Sequence, residues 1–421
     1  MTGLARRVQR TYLVLILGNT LAASFIWGIN TLFLLDAGLT NFEAFAANAF
    51  FTAGMVIFEV PTGVVADAWG RRTSYLLGTV TLAASTLLYY LLWLVHAPMW
   101  QWAIVSMLLG LGFTFFSGAV DAWLVDALHF AGYEGSLEAV FGRAQVVGGA
   151  AMLAGSVAGG FIAQATSLGV PFLVRVGVLC AMFVVAFVLM RDLGFTPAAR
   201  TTPGRAVREI LRTSVHYGLG NPPVRWLMLA APFISGVGIY AFYAMQPYLL
   251  DLYGDTGAYG IAGLAAAILA GSQVLGGLCA ARVRALLRRR TTALIAGTTA
   301  GAVLLAVLGL THGFWVALAT LVVWGVIGAA ITPIHQGYLN DLIPSKQRAT
   351  VLSFDSLMGS AGGVVIQPAL GRAADAWGYG TSYVVGAAVQ LLAVPFLVAS
   401  RREHSPADTP ERGPDAGLAA P

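Results

Sequence analysis

The sequence predicts an all-α membrane protein: twelve transmembrane helices in two six-helix bundles, with both termini cytoplasmic. Three observations carry this. The first is composition. The 421 residues are 58% hydrophobic and only 10% charged, with a mean hydropathy of +0.77, whereas a soluble domain carries about 25% charged residues. A chain this poor in charge cannot solvate its own surface, so the bilayer is its main solvent. The second is length, since spans of about 20 apolar residues leave room for about twelve helices once loops are subtracted. The third is the placing of arginine. With the N-terminus inside, the cytoplasmic loops receive Arg6, Arg7, Arg10, Arg71, Arg72, the central linker, the 282–290 cluster, Lys346, Arg348, Arg401, Arg402 and Arg412. The opposite loops receive at most Arg175 and Arg372. Cytoplasmic loops of membrane proteins are enriched in basic residues, so the asymmetry fixes both termini inside and supports an even number of spans.

The elements follow in order. Apolar runs predict helices over about 11–35, 42–66, 73–95, 100–128, 137–165 and 170–191 in the first half. In the second they predict about 224–252, 258–281, 291–311, 314–341, 347–373 and 378–400. The basic N-terminus precedes an apolar run too long for a signal-peptide core, so the first helix is expected to stay uncleaved. Residues 1–191 form one bundle and 223–400 the other. Residues 192–222, with Arg200, Arg205, Arg208 and Arg212, form a cytoplasmic linker, and 401–421 a disordered tail. Six helices, a basic linker and six more suggest a duplicated transporter architecture. A faint echo agrees: Leu124-Val-Asp126 and Leu339-Asn-Asp341 end helices 4 and 10, and Gly155-Ser-Val-Ala-Gly159-Gly160 and Gly359-Ser-Ala-Gly362-Gly363 sit in helices 5 and 11.

Between helices 2 and 3 stands Gly63-Val-Val-Ala-Asp67-Ala-Trp-Gly70-Arg71-Arg72, a glycine turn with one carboxylate and two guanidiniums. Gly70 permits a tight reversal, Gly63 a close helix approach, and Asp67 can pair with Arg71 at the headgroups. The pattern G-x-x-x-D-x-x-G-R-R resembles the hallmark loop of the major facilitator superfamily, and the neighbouring Phe58-Glu-Val-Pro-Thr62 is similar to its drug-efflux-like and macrolide-efflux-like branches. The resemblance covers about residues 10–400 and implies a secondary transporter working by alternating access. It also implies that Asp67 and Arg71 latch to an acidic residue ending helix 4, the place of Asp126. Alternatively, Arg71 and Arg72 only anchor the topology on lipid phosphate. In the second half Ala281 stands where the motif needs Asp, so a second latch is expected to be degenerate. Gly371-Arg-Ala-Ala-Asp375-Ala-Trp-Gly378 copies the spacing on the outer side and reads as a chance or decayed match.

In helix 5, Ala151, Gly155 and Gly159 recur every four residues, with Gly160 beside them, a stripe for close packing. The run resembles the family's antiporter motif, with Ser156 in place of proline. Helix 4 lacks the buried arginine usual in proton-coupled drug exporters of the family.

Charges at membrane depth need a partner or a function. Glu59, Asp121 and Asp355 are candidate proton carriers, because low dielectric favours the protonated carboxyl. Arg143 lies at the depth of Asp121, which serves either Arg143 or the cavity, and His335 lies at that of Asp355. Each group is otherwise a structural bridge. The cavity is expected near the midplane between the halves, lined by Ser24, Trp27, Asn48, Phe115, Phe116, Ser117, Tyr240, Tyr243, Gln273 and Trp324. The polar stripe Thr332, Gln336 and Asn340 belongs to the same wall. An aromatic wall with few fixed charges suits bulky, partly apolar substrates.

The leading expectation is proton-driven export of drugs or amphiphilic small molecules by a monomer in a bacterial inner membrane. The alternative is uptake or facilitated diffusion of a polar metabolite. The partners are a small molecule, protons and lipid, with no nucleic acid. Cys180 and Cys279 lack metal-site spacing, the six histidines are scattered, and there is no nucleotide-binding loop. No metal, cofactor, enzymatic or ATP-driven activity is therefore expected.

Overall fold

Inside a bilayer each backbone amide must find its partner within its own segment, so the apolar runs fold as helices. The computed structural model describes residues 3–197, 204, 208, 212, 215–344 and 347–409. The first span is Gly3–Trp27 continued by Asn30–Asp36; the second is Asn41–Trp69 and the third Arg71–Leu94. The fourth is Met99–Thr114 continued by Ala119–Phe130, the fifth Leu137–Ala165 and the sixth Val170–Leu189. In the second half, Pro222–Tyr253, Tyr259–Leu287, Arg290–Leu310 and Phe314–Leu342 are the seventh to tenth spans. The run Arg348–Leu391, extended by Ala393–Arg402, is two spans, because Gly378 (φ 81°, ψ 166°) reverses the chain within it. Among the described residues there are therefore twelve spans, as expected.

Two spans expected to be continuous are broken. The fourth unwinds over 115–118, ending at Gly118 with φ 66°. The carbonyl of Phe115 accepts instead from the Ser74 hydroxyl (2.8 Å). The first breaks at Gly28–Ile29, where a side chain of the other half enters its ladder, described below.

The halves are built alike. The first span packs on the fifth and the second on the fourth; correspondingly the seventh packs on the eleventh and the eighth on the tenth. The halves meet where the second span touches the eleventh and the fifth touches the eighth. The glycine echo sits at the matching contacts within each half, fifth span on first and eleventh on seventh. Gly159 lies against the Phe25 backbone and Gly362 against that of Pro232. A Cβ at either would strike main chain, which is why glycine stands there. Ala151 and Gly155 pack on Ser24 of the first span, and Gly160 reaches across to Gly263.

The tail differs from expectation. Residues 403–409 fold back on the second bundle: Trp226 donates to Glu403 (2.9 Å), and buried Asp408 accepts from the Thr291 amide (2.7 Å) and hydroxyl (2.8 Å). This caps the free amides opening the ninth span. The rest of the expected tail, and Arg200, Arg205 and Lys346, lie outside the described residues.

Candidate functional site

The Gly63–Arg72 loop marks one end of the bundle, the motif end. Gly70 turns the chain at φ 101°, a conformation that L side chains avoid. Asp67 pairs with Arg71 at 2.5 Å, four residues on and across the Gly70 turn. Arg72 donates to the Phe187 carbonyl (2.7 Å) and lies over the Phe187 ring. The carboxylate that holds the turn is Asp192, accepting from the Arg72 amide at 2.9 Å. Burial pushes the Asp192 carboxyl above its ordinary range, against the pull of the Arg72 amide and of both guanidiniums. The partner expected from the resemblance, Asp126, makes no hydrogen bond or ion pair among the described residues, and a Cβ on Gly63 would meet open space. In this state neither makes the contact expected of it. Asp192 opens the stretch that the sequence reads as linker, and its one signal is being the first carboxylate after the sixth span.

In the second half the corresponding ends are joined. Arg290, opening the ninth span, reaches Asp341, ending the tenth, at 2.6 Å, and also donates to Gly337 O (3.1 Å). The loss of an acid at Ala281 therefore does not leave this half without a cross-helix tie.

The hydrogen bonds joining the halves cluster at the opposite, far end. Gln246 of the seventh span donates to Trp27 O (2.7 Å) and accepts from Thr31 N (2.9 Å). Asp375 accepts from the amides of Asn41 and Phe42, both at 2.9 Å, capping the second span. Tyr379 bonds Asn41, and Gln164 accepts from Gly260 N (2.9 Å). The Asp375–Gly378 segment is thus a working inter-half tie rather than a decayed match: Gly378 reverses the chain as Gly70 does, and Asp375 fastens the other bundle.

The charges inside the spans pair differently from the expectation by depth. Glu59 accepts from Ser117 (2.6 Å), which the break in the fourth span presents to it. Asp121 accepts from the Tyr12 hydroxyl (2.7 Å). Arg143 is exposed on the fifth span and makes no ion pair with Asp121. Equal depth does not fix which way two side chains point around their helix axes. His335 and Asp355 do meet, Nε2 to Oδ2 at 2.9 Å. The other oxygen of Asp355, Oδ1, is buried without a partner.

That pair borders a cavity of about 700 Å³. Trp324, Thr332, Gln336 and Asn340 line it beside His335 and Asp355, with Ser356, Ser360, Thr298 and Gln390 adding polar wall. Its lining comes from the seventh and the ninth to twelfth spans alone, not from between the halves as expected. The other expected lining residues pack elsewhere. Ser24 is buried, donating to Thr20 O (2.6 Å). Asn48 accepts from Asn30 (2.9 Å). Tyr240 is buried against Phe45 and bonds Ser382 (2.5 Å). Phe116 meets Tyr75 edge-on, Trp27 and Tyr243 each meet Phe242, and Phe115 flanks the break. Gln273 is exposed on the eighth span.

Comparison with known proteins adds the following. The family model described as Major Facilitator Superfamily matches residues 12–288 and 257–420. Among solved structures, the nucleoside transporter NupG superposes with a TM-score of 0.78 at 10% identity, covering 95% of this chain and 100% of that one. A bacterial homolog of the human lysosomal transporter Spinster, inward-facing and unoccupied, gives 0.69 at 16% identity, with 95% and 98% covered. A D-xylose-proton symporter gives 0.63 at 16%, with 94% and 98% covered. No sequence among curated proteins matches significantly.

Proposed function

Because the chain belongs to the major facilitator superfamily, a family of multi-pass membrane transporters rather than enzymes, we propose that it is a proton-driven exporter of amphiphilic small molecules working by alternating access. The observation that carries this reading is the His335–Asp355 pair on the cavity wall. A carboxylate held by an imidazole, with its second oxygen unpartnered, is a protonation site that substrate entry can disturb. Trp324, Ile327 and Ile331 give the same wall an apolar surface for a bulky ligand. With the motif end in the cytoplasm, as the arginines argue, the ties at the far end make this an inward-facing state. In the outward-facing state the loop Asp67–Arg72 and Asp126 form the latch. Glu59 and Asp121 are secondary proton candidates, each held by a single hydroxyl. The protein acts as a monomer in a bacterial inner membrane.

A second reading, uptake of a polar metabolite, is favoured by the polar stripe Thr332, Gln336 and Asn340 on the cavity wall. Proteoliposomes under an imposed pH gradient decide between the two. Export predicts proton-dependent extrusion of amphiphilic compounds, abolished by Asp355→Asn and slowed by His335→Gln, and protection of an expressing strain that a protonophore cancels. Unchanged coupling in Glu59→Gln, Asp121→Asn and Asp355→Asn alike removes the proton reading. Solute accumulation without extrusion establishes uptake.

A further inference from the structure

Arg175, on the far-end side of the predicted 170–191 helix, lies inside the sixth span with only 3% of its surface exposed. A buried charge at membrane depth requires a partner or a function, and arginine does not escape by losing its proton. No carboxylate supplies that partner. The ion pairs of the described residues are Arg71–Asp67, Arg290–Asp341 and His335–Asp355. The Nε of Arg175 is sealed off without an acceptor, and among the described residues its terminal nitrogens donate to none either.

What surrounds it is aromatic. The guanidinium lies 5.6 Å from the Phe113 ring centroid and in electrostatic reach of Tyr89 and Tyr243. Tyr89 is spent on Ser106. Tyr243 comes from the seventh span, so this cation sits where the two halves meet. Beside it Phe242 packs against Tyr243 and Trp27.

We propose that Arg175 is the anion-binding residue of the transport pathway, and that the molecules it takes are amphiphilic organic anions carrying a carboxylate, sulfonate or phosphate on an apolar body. A guanidinium with unused parallel N–H donors matches two oxygens of such a group, and the surrounding rings fit the apolar part. This rests on the transport reading and adds the charge of the substrate to it. A purely structural Arg175, held by Phe113 and the two phenols alone, is the rival account.

The test is binding to the purified full-length protein in uncharged detergent, using naphthalene-1-sulfonate and naphthalene-1-sulfonamide, which share a ring system and differ in charge. The wild type is expected to prefer the sulfonate by about tenfold or more. Arg175→Gln should lose that preference, weakening the sulfonate much more than the sulfonamide, and measurable sulfonamide binding together with an unchanged elution profile shows that it is folded. Arg175→Lys keeps a charge but not the fork, and should fall between. Adding phosphatidylglycerol separates the sources of the anion: no competition supports a soluble substrate, whereas displacement of the sulfonate at low lipid concentration assigns the site to a headgroup and overturns the proposal. No preference in the wild type, or an undiminished one in Arg175→Gln or, should that variant not fold, in Arg175→Lys, overturns it as well. Binding is read without transport. A sulfonate preference without extrusion sinks the export reading alone, and proton-driven drug protection without a preference sinks this one alone.

Discussion

Gln246 completes the backbone of a helix in the other half: its amide takes the Trp27 carbonyl at 2.7 Å and the Thr31 amide at 2.9 Å. Trp27 O and Thr31 N are the two groups that an unbroken first span would join to each other, four residues apart. The break at Gly28–Ile29 and the closed far end are therefore one feature. When the halves part at this end, the two backbone groups can find one another and the first span can straighten. Such an exchange of partners gives an element two discrete arrangements. Gln246→Leu removes one of them. It should cost the closed state about 1–3 kcal/mol, the usual penalty for stranding buried polar groups. Hydrogen exchange should quicken in residues 28–36, and Gln246→Glu, which keeps the acceptor for Thr31, should do less. Unchanged exchange in Gln246→Leu would mean that the side chain merely fills space.

Arg290 and Asp341 lead to a prediction opposite to the one drawn from the motif. Their side chains are partly exposed, 20% and 52%, so solvent screening limits the pair to about 1 kcal/mol of stability or less. Its effect should fall on motion. Asp341→Asn should lower the transport rate at normal expression with little change in melting temperature, and Arg290→Lys should retain most of the rate. Asp126→Asn should leave the melting temperature of this state unchanged, since Asp126 holds nothing here. A silent Asp341→Asn beside a dead Asp126→Asn would restore the first half as the only latch.

How far the sequence reads depends on whether a feature is local. The Gly70 turn, the twelve spans and the Gly159–Gly160 contact were legible, because glycine, charge and spacing act within a few residues. The His335–Asp355 pair was legible as two groups at comparable depth. The same reasoning failed for Asp121 and Arg143, because depth says nothing of azimuth, and Tyr12, 109 positions from Asp121, has no signal as its donor. The breaks were hidden for the same reason. The residue that stabilises the gap in the first span lies 219 positions away. An aromatic residue reads alike whether it faces a cavity, a helix or lipid, so Trp324 could not be told from Tyr240.

Asp192 makes a pH-dependent prediction at the motif end. Burial raises its carboxyl pKa in the folded state above the unfolded 3.8, so between the two values the folded chain holds a proton that the unfolded chain has lost. Stability contributed there is present at low pH and falls as pH rises from about 3.8 through the folded value. Asp192→Asn should flatten this slope while keeping an acceptor for the Arg72 amide. Asp192→Ala should flatten it too but cost about 1 kcal/mol at all pH values through loss of the cap. Thermal unfolding from pH 4 upward checks both. Identical slopes in wild type and Asp192→Asn would place the carboxylate in water.

Gly160 tests whether the closed far end depends on backbone contact. A Cβ there would stand 2.6 Å from the Tyr259 carbonyl oxygen and 3.0 Å from the Gly263 Cα. Both are main chain of the other half, which cannot swing aside as a side chain can. Gly160→Val must therefore push the fifth and eighth spans apart, at about 1–3 kcal/mol for overpacking. The penalty falls on this state alone, because the contact is lost once the far end opens. At about 1.4 kcal/mol per tenfold, the population should move toward the open arrangement by roughly one to two orders of magnitude. A cysteine at Thr31, fully buried here, with Cys180 and Cys279 changed to serine, reports it through faster labelling by an impermeant maleimide. Gly159→Val, which strikes Phe25 within its own half, should instead lower expression without that rise. Equal labelling in all three backgrounds would show that the ties of Gln246 and Asp375 hold the end shut without the glycine contact.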